Sequence, residues 1–321
     1  MIKSFTRSFI LITILLTASS WGFFAHKKIN RLAVFSLPPE MIGFYKRNIN
    51  YITNHAVDPD KRRYSDSAEA PKHFLDADRY GLAPFDSIPR KWKQATAKYS
   101  ERTLKENGIV PWQIERTYYS LTKAFKEQDS IKILKYSADL GHYVGDAHVP
   151  LHTSENYNGQ LTNQVGIHAF WESRLPELFS KKYNFFVGRA HYIENPLEAA
   201  FTILKHTYGL KDSVLRVEES LNKTFRQDLK YAFSEHNGKI EKQYSEAYSE
   251  AYHRALNGMV EKQMRSSILD ISSFWYSAWV DAGQPNLKNL PKPNKNKDSE
   301  DINPDVELKF NKGKIIGRDE N

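Results

Sequence analysis

The chain of 321 residues contains no cysteine. That excludes disulfides, a lipid anchor on a cysteine thiol and any thiolate metal site. A domain of this length buries enough surface to fold without disulfides, so the absence does not argue against export. Long apolar runs are missing too. The longest, Phe9 to Leu16 near the N-terminus, falls short of the roughly 20 residues a membrane span needs. The sequence has no Gly-rich phosphate loop, no Gly-x-Ser-x-Gly nucleophile elbow, no internal repeat and no convincing strand alternation. Any metal chemistry must therefore rest on His, Asp, Glu or backbone atoms, a donor set that favours zinc in a catalytic rather than a structural role.

What is present begins with a secretory leader. Met1 to Ser20 has a basic start (Lys3, Arg7), a short apolar run and a small-residue end, Ala18-Ser19-Ser20. The expected product starts at Trp21, is secreted or periplasmic and carries no transmembrane segment. The whole chain has a net charge of +8. The leader holds two cations and no acid, so its removal leaves about +6, a balance that suits either an anionic partner or plain solubility. With 40% hydrophobic residues the chain can build a core.

From Trp21 to about Gly283, apolar residues recur at three- and four-residue spacing, which predicts an all-α, single multi-helix domain. Helices are expected near Ile29 to Phe35, Pro39 to Thr53, Trp112 to Glu127, Ser130 to Asp146, His168 to Phe179, Pro196 to His206 and Ser245 to Asp281. Residues 284–321 turn to Pro, Asn, Lys and acids and read as a polar tail outside the core. No protein partner is inferred.

The densest chemical signal is His142-Tyr143-Val144-Gly145-Asp146-Ala147-His148-Val149-Pro150-Leu151-His152. On a helix His142 and Asp146, four apart, project from one face and can share a metal ion. Pro150 then turns the chain so that His152 can serve a second ion. His168 and Glu172 repeat the four-residue spacing and with His152 form a two-His, one-carboxylate set. Three protein ligands leave a position open for water or substrate, as catalytic zinc requires. Asp58 (or Asp60, two residues on) and His73 lie upstream in segments that alone read as ordinary turns. Cleavage before Trp21 would free an α-amine of pKa about 7.7–8.0, able to lose its proton to a metal.

In this order the residues resemble the superfamily that joins bacterial zinc-dependent phospholipases C to the single-strand-specific zinc nucleases. The resemblance spans Trp21 to Gly283: N-terminal Trp, His, Asp, His, then His-x3-Asp-x5-His, then His-x3-Glu. It implies an all-helical fold and three zinc ions. One would take Asp58, His73, His142 and Asp146. A second would take His152, His168 and Glu172, and a third Trp21, His26 and Asp146. It also implies attack on phosphorus by a zinc-activated water, with Asp58 orienting or deprotonating that water. His148 falls between the motif positions and is given an outer place.

Two substrate classes remain, phospholipid and single-stranded nucleic acid. Glu172 as the last acid, the lack of a Gly-Gly-Asn signature and the lack of cysteine resemble the phospholipases. Pro150-Leu151-His152 and the Trp21 to His26 spacing are similar to the nucleases. His73-Phe74-Leu75-Asp76 is similar to a segment of both groups whose aromatic and acid contact the base in the nucleases, so the resemblance implies that role for Phe74 and Asp76; Phe74 could instead line a site for a quaternary ammonium. The balance leans to phospholipase C-like hydrolysis, with a single-strand-specific nuclease as the alternative and a non-enzymatic zinc-binding protein as the second alternative.

Overall fold

The computed structural model describes residues 23–236, 239–291, 316 and 318, without the side chains of 234–236, 239 and 241. The leader, Trp21 and most of the tail thus lie outside the described residues. The architecture is all-α. It is arranged on α1 (Phe23–Ala33), α2 (Val110–Lys126), α3 (Ser130–Ala147), α4 (Pro196–Tyr208) and α5 (Met259–Asp281).

Asp129 starts the central helix by accepting a hydrogen bond from the Lys132 amide at 3.1 Å, an N-cap that satisfies one of the first-turn donors. From Ser137 to Ala147 every residue of α3 is buried, as befits a helix surrounded by others. α2 is amphipathic instead. Pro111 suits its first turn, and Ile114, Tyr118, Leu121 and Phe125 form the stripe that faces the core. α5 closes the other side. Its Trp275 is fully buried, stacks on Tyr45 at 5.1 Å and donates its indole N–H to the Ser137 carbonyl at 2.9 Å. On the outer side of α2, Trp112 meets Phe201 of α4 edge-on at 5.4 Å.

α1 reaches α3 because two glycines of α3 present no side chain. A Cβ on Gly141 would stand 2.0 Å from Asn30 Oδ1, and one on Gly145 would stand 2.8 Å from Ile29 Cδ1 and 3.2 Å from His26 Nδ1. Asn30 also donates to the His26 carbonyl at 3.1 Å. The close approach is what lodges His26 against the face of α3 that carries His142 and Asp146.

Several expected elements differ in detail. Pro39 to Thr53 is two helices, Pro39–Arg47 and Ile49–Asn54, broken at Asn48, whose side chain donates to the Phe44 carbonyl. Ser245 to Asp281 is likewise split into Glu246–Ala255 and α5, because Asn257 and Gly258 both adopt positive φ. Periodicity also missed the helices Trp92–Tyr99, Glu101–Glu106 and Lys211–Thr224. A two-stranded antiparallel hairpin, Tyr231–His236 with Lys239–Tyr244, was not anticipated; it is the one sheet among the described residues. It is anchored where Tyr244 stacks on Phe170 at 3.9 Å. The segment after Gly283 is not wholly outside the core, since Leu287 is buried in it. No described helix is long and apolar enough to cross a membrane.

Gly141→Ala must displace a buried amide from a tight helix contact. We expect a cost of ~1–3 kcal/mol, read from the midpoint of urea unfolding; an unchanged midpoint would contradict the α1–α3 packing described here.

Candidate metal centre

Five imidazoles and three carboxylates converge where α1, α3, the short helix Asp58–Arg62, two 3-10 turns and the helical stretch that begins at Ile167 meet. Asp146 stands in the middle and is 1% exposed. Its Oδ2 lies 3.0 Å from His73 Nδ1 and 3.2 Å from His142 Nε2, while Oδ1 lies 3.2 Å from His26 Nε2. The two oxygens of one carboxylate therefore serve two different sets of imidazoles. On the far side Glu172 Oε2 lies 2.8 Å from His168 Nε2 and 3.3 Å from His152 Nε2, with Oε1 3.2 Å from His26.

The local structure aims these atoms. His168 and Glu172 sit on a continuous helical stretch, Ile167–Ala169, the π-helical turn Phe170–Arg174 and Leu175–Phe179. A π turn of this kind is rare and recurs at functional sites. α3 ends at Ala147, and the short 3-10 turn Pro150–Thr153 swings His152 back beside it. His73 closes another 3-10 turn, Ala70–His73, and is tied to His152 by the chain itself, since Leu75 donates its amide to the His152 carbonyl.

Three of the histidines donate their outer nitrogen to a backbone carbonyl: His142 Nδ1 to Ala56 at 2.8 Å, His152 Nδ1 to His73 at 2.7 Å, and His168 Nδ1 to Tyr157 at 3.3 Å. A carbonyl can only accept, so each Nδ1 carries the proton and each Nε2 turns a lone pair into the cluster. That is the arrangement metal-ligating histidines use. For His73 the roles reverse. Nδ1 faces inward and Nε2 faces Glu69 Oε1 at 3.8 Å, a buried carboxylate held by Arg62, Lys72 and Tyr143.

The electrostatics are those of buried acids surrounded by imidazoles. Burial works against ionising Asp146, but His142, His152 and His26 outweigh it and hold the carboxyl well below the usual range. Glu172 is treated the same way by His152, His168 and His26. Burial likewise opposes a charge on His26, and Asp146 and Glu172 overcome it and raise its pKa well above the ordinary value. In His73 burial prevails and the pKa falls. Burial opposes ionisation of Glu69, yet Arg62, His73 and Lys72 bring it down to about 2.

The donor set fits zinc. Two ligand atoms on one tetrahedral zinc, each about 2.0–2.1 Å from it, lie about 3.3–3.4 Å apart. The pairs here span 2.8 to 3.7 Å. Among the described residues three groups bring their ligand atoms together, the first two sharing His142: His26, His142 and Asp146; Asp60, His73 and His142; His152, His168 and Glu172.

The expected site residues His26, His73, His142, Asp146, His152, His168 and Glu172 thus meet, and Trp21 lies outside the described residues. Asp58 does not join them. Its Oδ2 is 2.6 Å from His55 Nδ1, and it lines a cavity of about 520 Å³ on the other side of Tyr143 and Glu69. Asp60, the alternative, takes the place expected of Asp58, with Oδ1 3.5 Å from His142 Nε2 and 3.7 Å from His73 Nδ1. Both acids lie on the short helix Asp58–Arg62, and residues two apart on a helix do not share a face. His55, three residues before Asp58, was the sequence signal that Asp58 is already engaged. His148, as expected, stays outside, paired with Asp270 at 2.9 Å.

Phe74 and Asp76 do lie beside the cluster, but a residue of the tail covers them. The Arg318 guanidinium sits over the Phe74 ring at 4.2 Å and the Tyr157 ring at 3.6 Å, and donates to Asp76 Oδ1 at 2.7 Å. Burial lifts Asp76 to about 6 in spite of Arg318. Nothing in the composition of the tail marks Arg318 out, and Tyr157 lies in a loop with no periodicity to flag it.

The Asp60 geometry has a direct check. Asp60→Asn should lower zinc affinity by at least about 10-fold, measured by competition with a chromogenic chelator, and Asp58→Asn should leave it within twofold. The reverse ranking would restore Asp58 to the site.

Comparison with curated proteins finds no match. The family model S1/P1 Nuclease, by contrast, matches residues 21–267, a span that holds every residue of the cluster. The chain belongs to the S1/P1 nuclease family and is a zinc-dependent phosphodiesterase.

Proposed function

We propose that the chain is a nuclease that hydrolyses phosphodiester bonds in single-stranded nucleic acid, using three zinc ions. The family match favours this over the phospholipase C reading to which the sequence leaned. The observation that carries it is the subsite beside the cluster. There two aromatic rings, Phe74 and Tyr157, meet a flat group on its faces, while Asp76 and the carbonyls of Leu151 and Ser154 accept hydrogen bonds at its edge. A nucleobase is flat, stacks on aromatic rings and carries N–H donors on its edge. A choline head group is rounded and has no N–H, so those acceptors would have no partner.

His152, His168 and Glu172 would hold one ion, and Asp60, His73, His142 and Asp146 a second. His26 and Asp146 would hold the third together with the amine and carbonyl of Trp21 once the leader is removed. When bound, zinc supplies Lewis-acid polarisation of the phosphoryl oxygens and a lowered pKa for the attacking water.

The protein's own residues do the rest. Asp146, with one oxygen on each side, fixes the spacing between the sets. The carbonyls of Ala56, His73 and Tyr157 hold three imidazoles in the tautomer that ligates. Asp60, whose side chain is partly open to solvent, accepts a hydrogen bond from the attacking water and orients it. Arg63, with Nη1 4.0 Å from Asp60 Oδ1, offers a cation to the phosphate. Phe74, Tyr157 and Asp76 place the base, so the scissile phosphate falls at the cluster.

Zinc-loaded protein starting at Trp21 should degrade single-stranded DNA and RNA, lose that activity in EDTA and leave phosphatidylcholine and phosphatidylethanolamine intact. His168→Ala should lower kcat by at least about 100-fold. Phospholipid hydrolysis without cleavage of single strands would overturn the reading.

A further inference from the structure

Arg318 stands where the proposed substrate would. Its guanidinium is planar and lies over both Phe74 and Tyr157, and it donates to Asp76 Oδ1 at 2.7 Å, the Ser154 carbonyl at 3.1 Å and the Leu151 carbonyl at 3.4 Å. The residues of the subsite lie close to the cluster histidines in sequence. Phe74 and Asp76 follow His73, Leu151 precedes His152, and Ser154 is two residues beyond it. The arginine side chain is 9% exposed, so it is inserted rather than laid on the surface.

The backbone of the same residues is docked as well. Ile316 donates its amide to the Arg63 carbonyl at 3.0 Å, and the Arg63 guanidinium donates to the Arg318 carbonyl. Arg63 is the cation that stands next to Asp60 at the edge of the cluster. One residue therefore engages two features at once. Its side chain fills the flat, acceptor-lined subsite, and its carbonyl takes a donor that a phosphate oxygen would use.

We propose that Arg318 is an intramolecular competitor of substrate, occupying the base subsite and shielding Arg63. This rests on the nuclease reading above and goes beyond it by assigning a regulatory role to Arg318. A guanidinium mimics the recognised edge of an amine-bearing base: it is planar, offers several N–H donors in a fixed fork and stacks on aromatic rings. Tethering makes the competition effective even for a weak contact, because a linked group faces its site at an effective concentration on the order of millimolar. Substrate must displace Arg318, so the cost appears in binding and not in the chemical step.

The test uses zinc-replete protein from Trp21 to Asn321, its R318A variant, and a chain ending at Lys314. Cleavage of a single-stranded oligodeoxynucleotide gives KM and kcat, and calorimetry gives the Kd of a nucleoside monophosphate without turnover. We expect R318A and the shortened chain to lower KM and Kd about tenfold with kcat within twofold, and R318K to fall between them and the parent. Unchanged KM and Kd in R318A would overturn the proposal. A rise in both would also overturn it, since Arg318 would then be part of substrate binding. If none of the chains cuts the oligonucleotide, the nuclease reading fails, and the Kd comparison still decides the role of Arg318.

Discussion

A buried carboxylate facing two sets of imidazoles is the constraint on which this structure depends. Asp146 is almost fully inaccessible, and an isolated ionised acid there would be prohibitively costly. His142, His152 and His26 make the charge tolerable, and they do so only if each ring is held in place. The fold supplies that hold. α3 is buried along its C-terminal half, two glycines on it let α1 approach with His26, and backbone carbonyls from three different segments fix His142, His152 and His168. The cluster's ligand atoms stand at the mutual distances that a cation between them would set.

Much of this was legible in the sequence because it depends on local spacing. His142 and Asp146, and His168 and Glu172, are four apart, and a helix places such pairs together whatever else the chain does. The long helices were legible for the same reason. What was not legible depends on non-local contacts or on single backbone angles. The breaks at Asn48 and Asn257-Gly258 are set by a few dihedral angles inside apolar patterns that run on past them. The hairpin strands carry Lys and Glu as much as apolar residues, so alternation hid them, although Asn237-Gly238 between them is a strong hairpin dipeptide.

The choice between Asp58 and Asp60 shows the limit most clearly. Both fit the motif order, and only the rotation of a five-residue helix decides which one turns inward. The His55 contact captures Asp58 and leaves Asp60 to the cluster. Similarly, no sequence pattern connects Arg318 with Phe74, since 242 residues separate it from Asp76, the partner that fixes it there. The substrate leaning drew on weaker signals for a related reason. Glu172 and the missing cysteines are single-residue signals, whereas the subsite of Phe74, Tyr157 and Asp76 exists only once three distant segments are packed.

If the cluster holds zinc as proposed, Asp146 would join two ions and Asp60, not Asp58, would be a ligand. Anomalous diffraction recorded on both sides of the zinc absorption edge, from crystals of the processed chain, tests this most directly. The account predicts zinc peaks inside the three groups of ligand atoms, with Asp146 touching two of them and Asp60 touching one. An absence of zinc from the cluster in zinc-replete crystals, or an ion held by Asp58 and remote from Asp146, would contradict it.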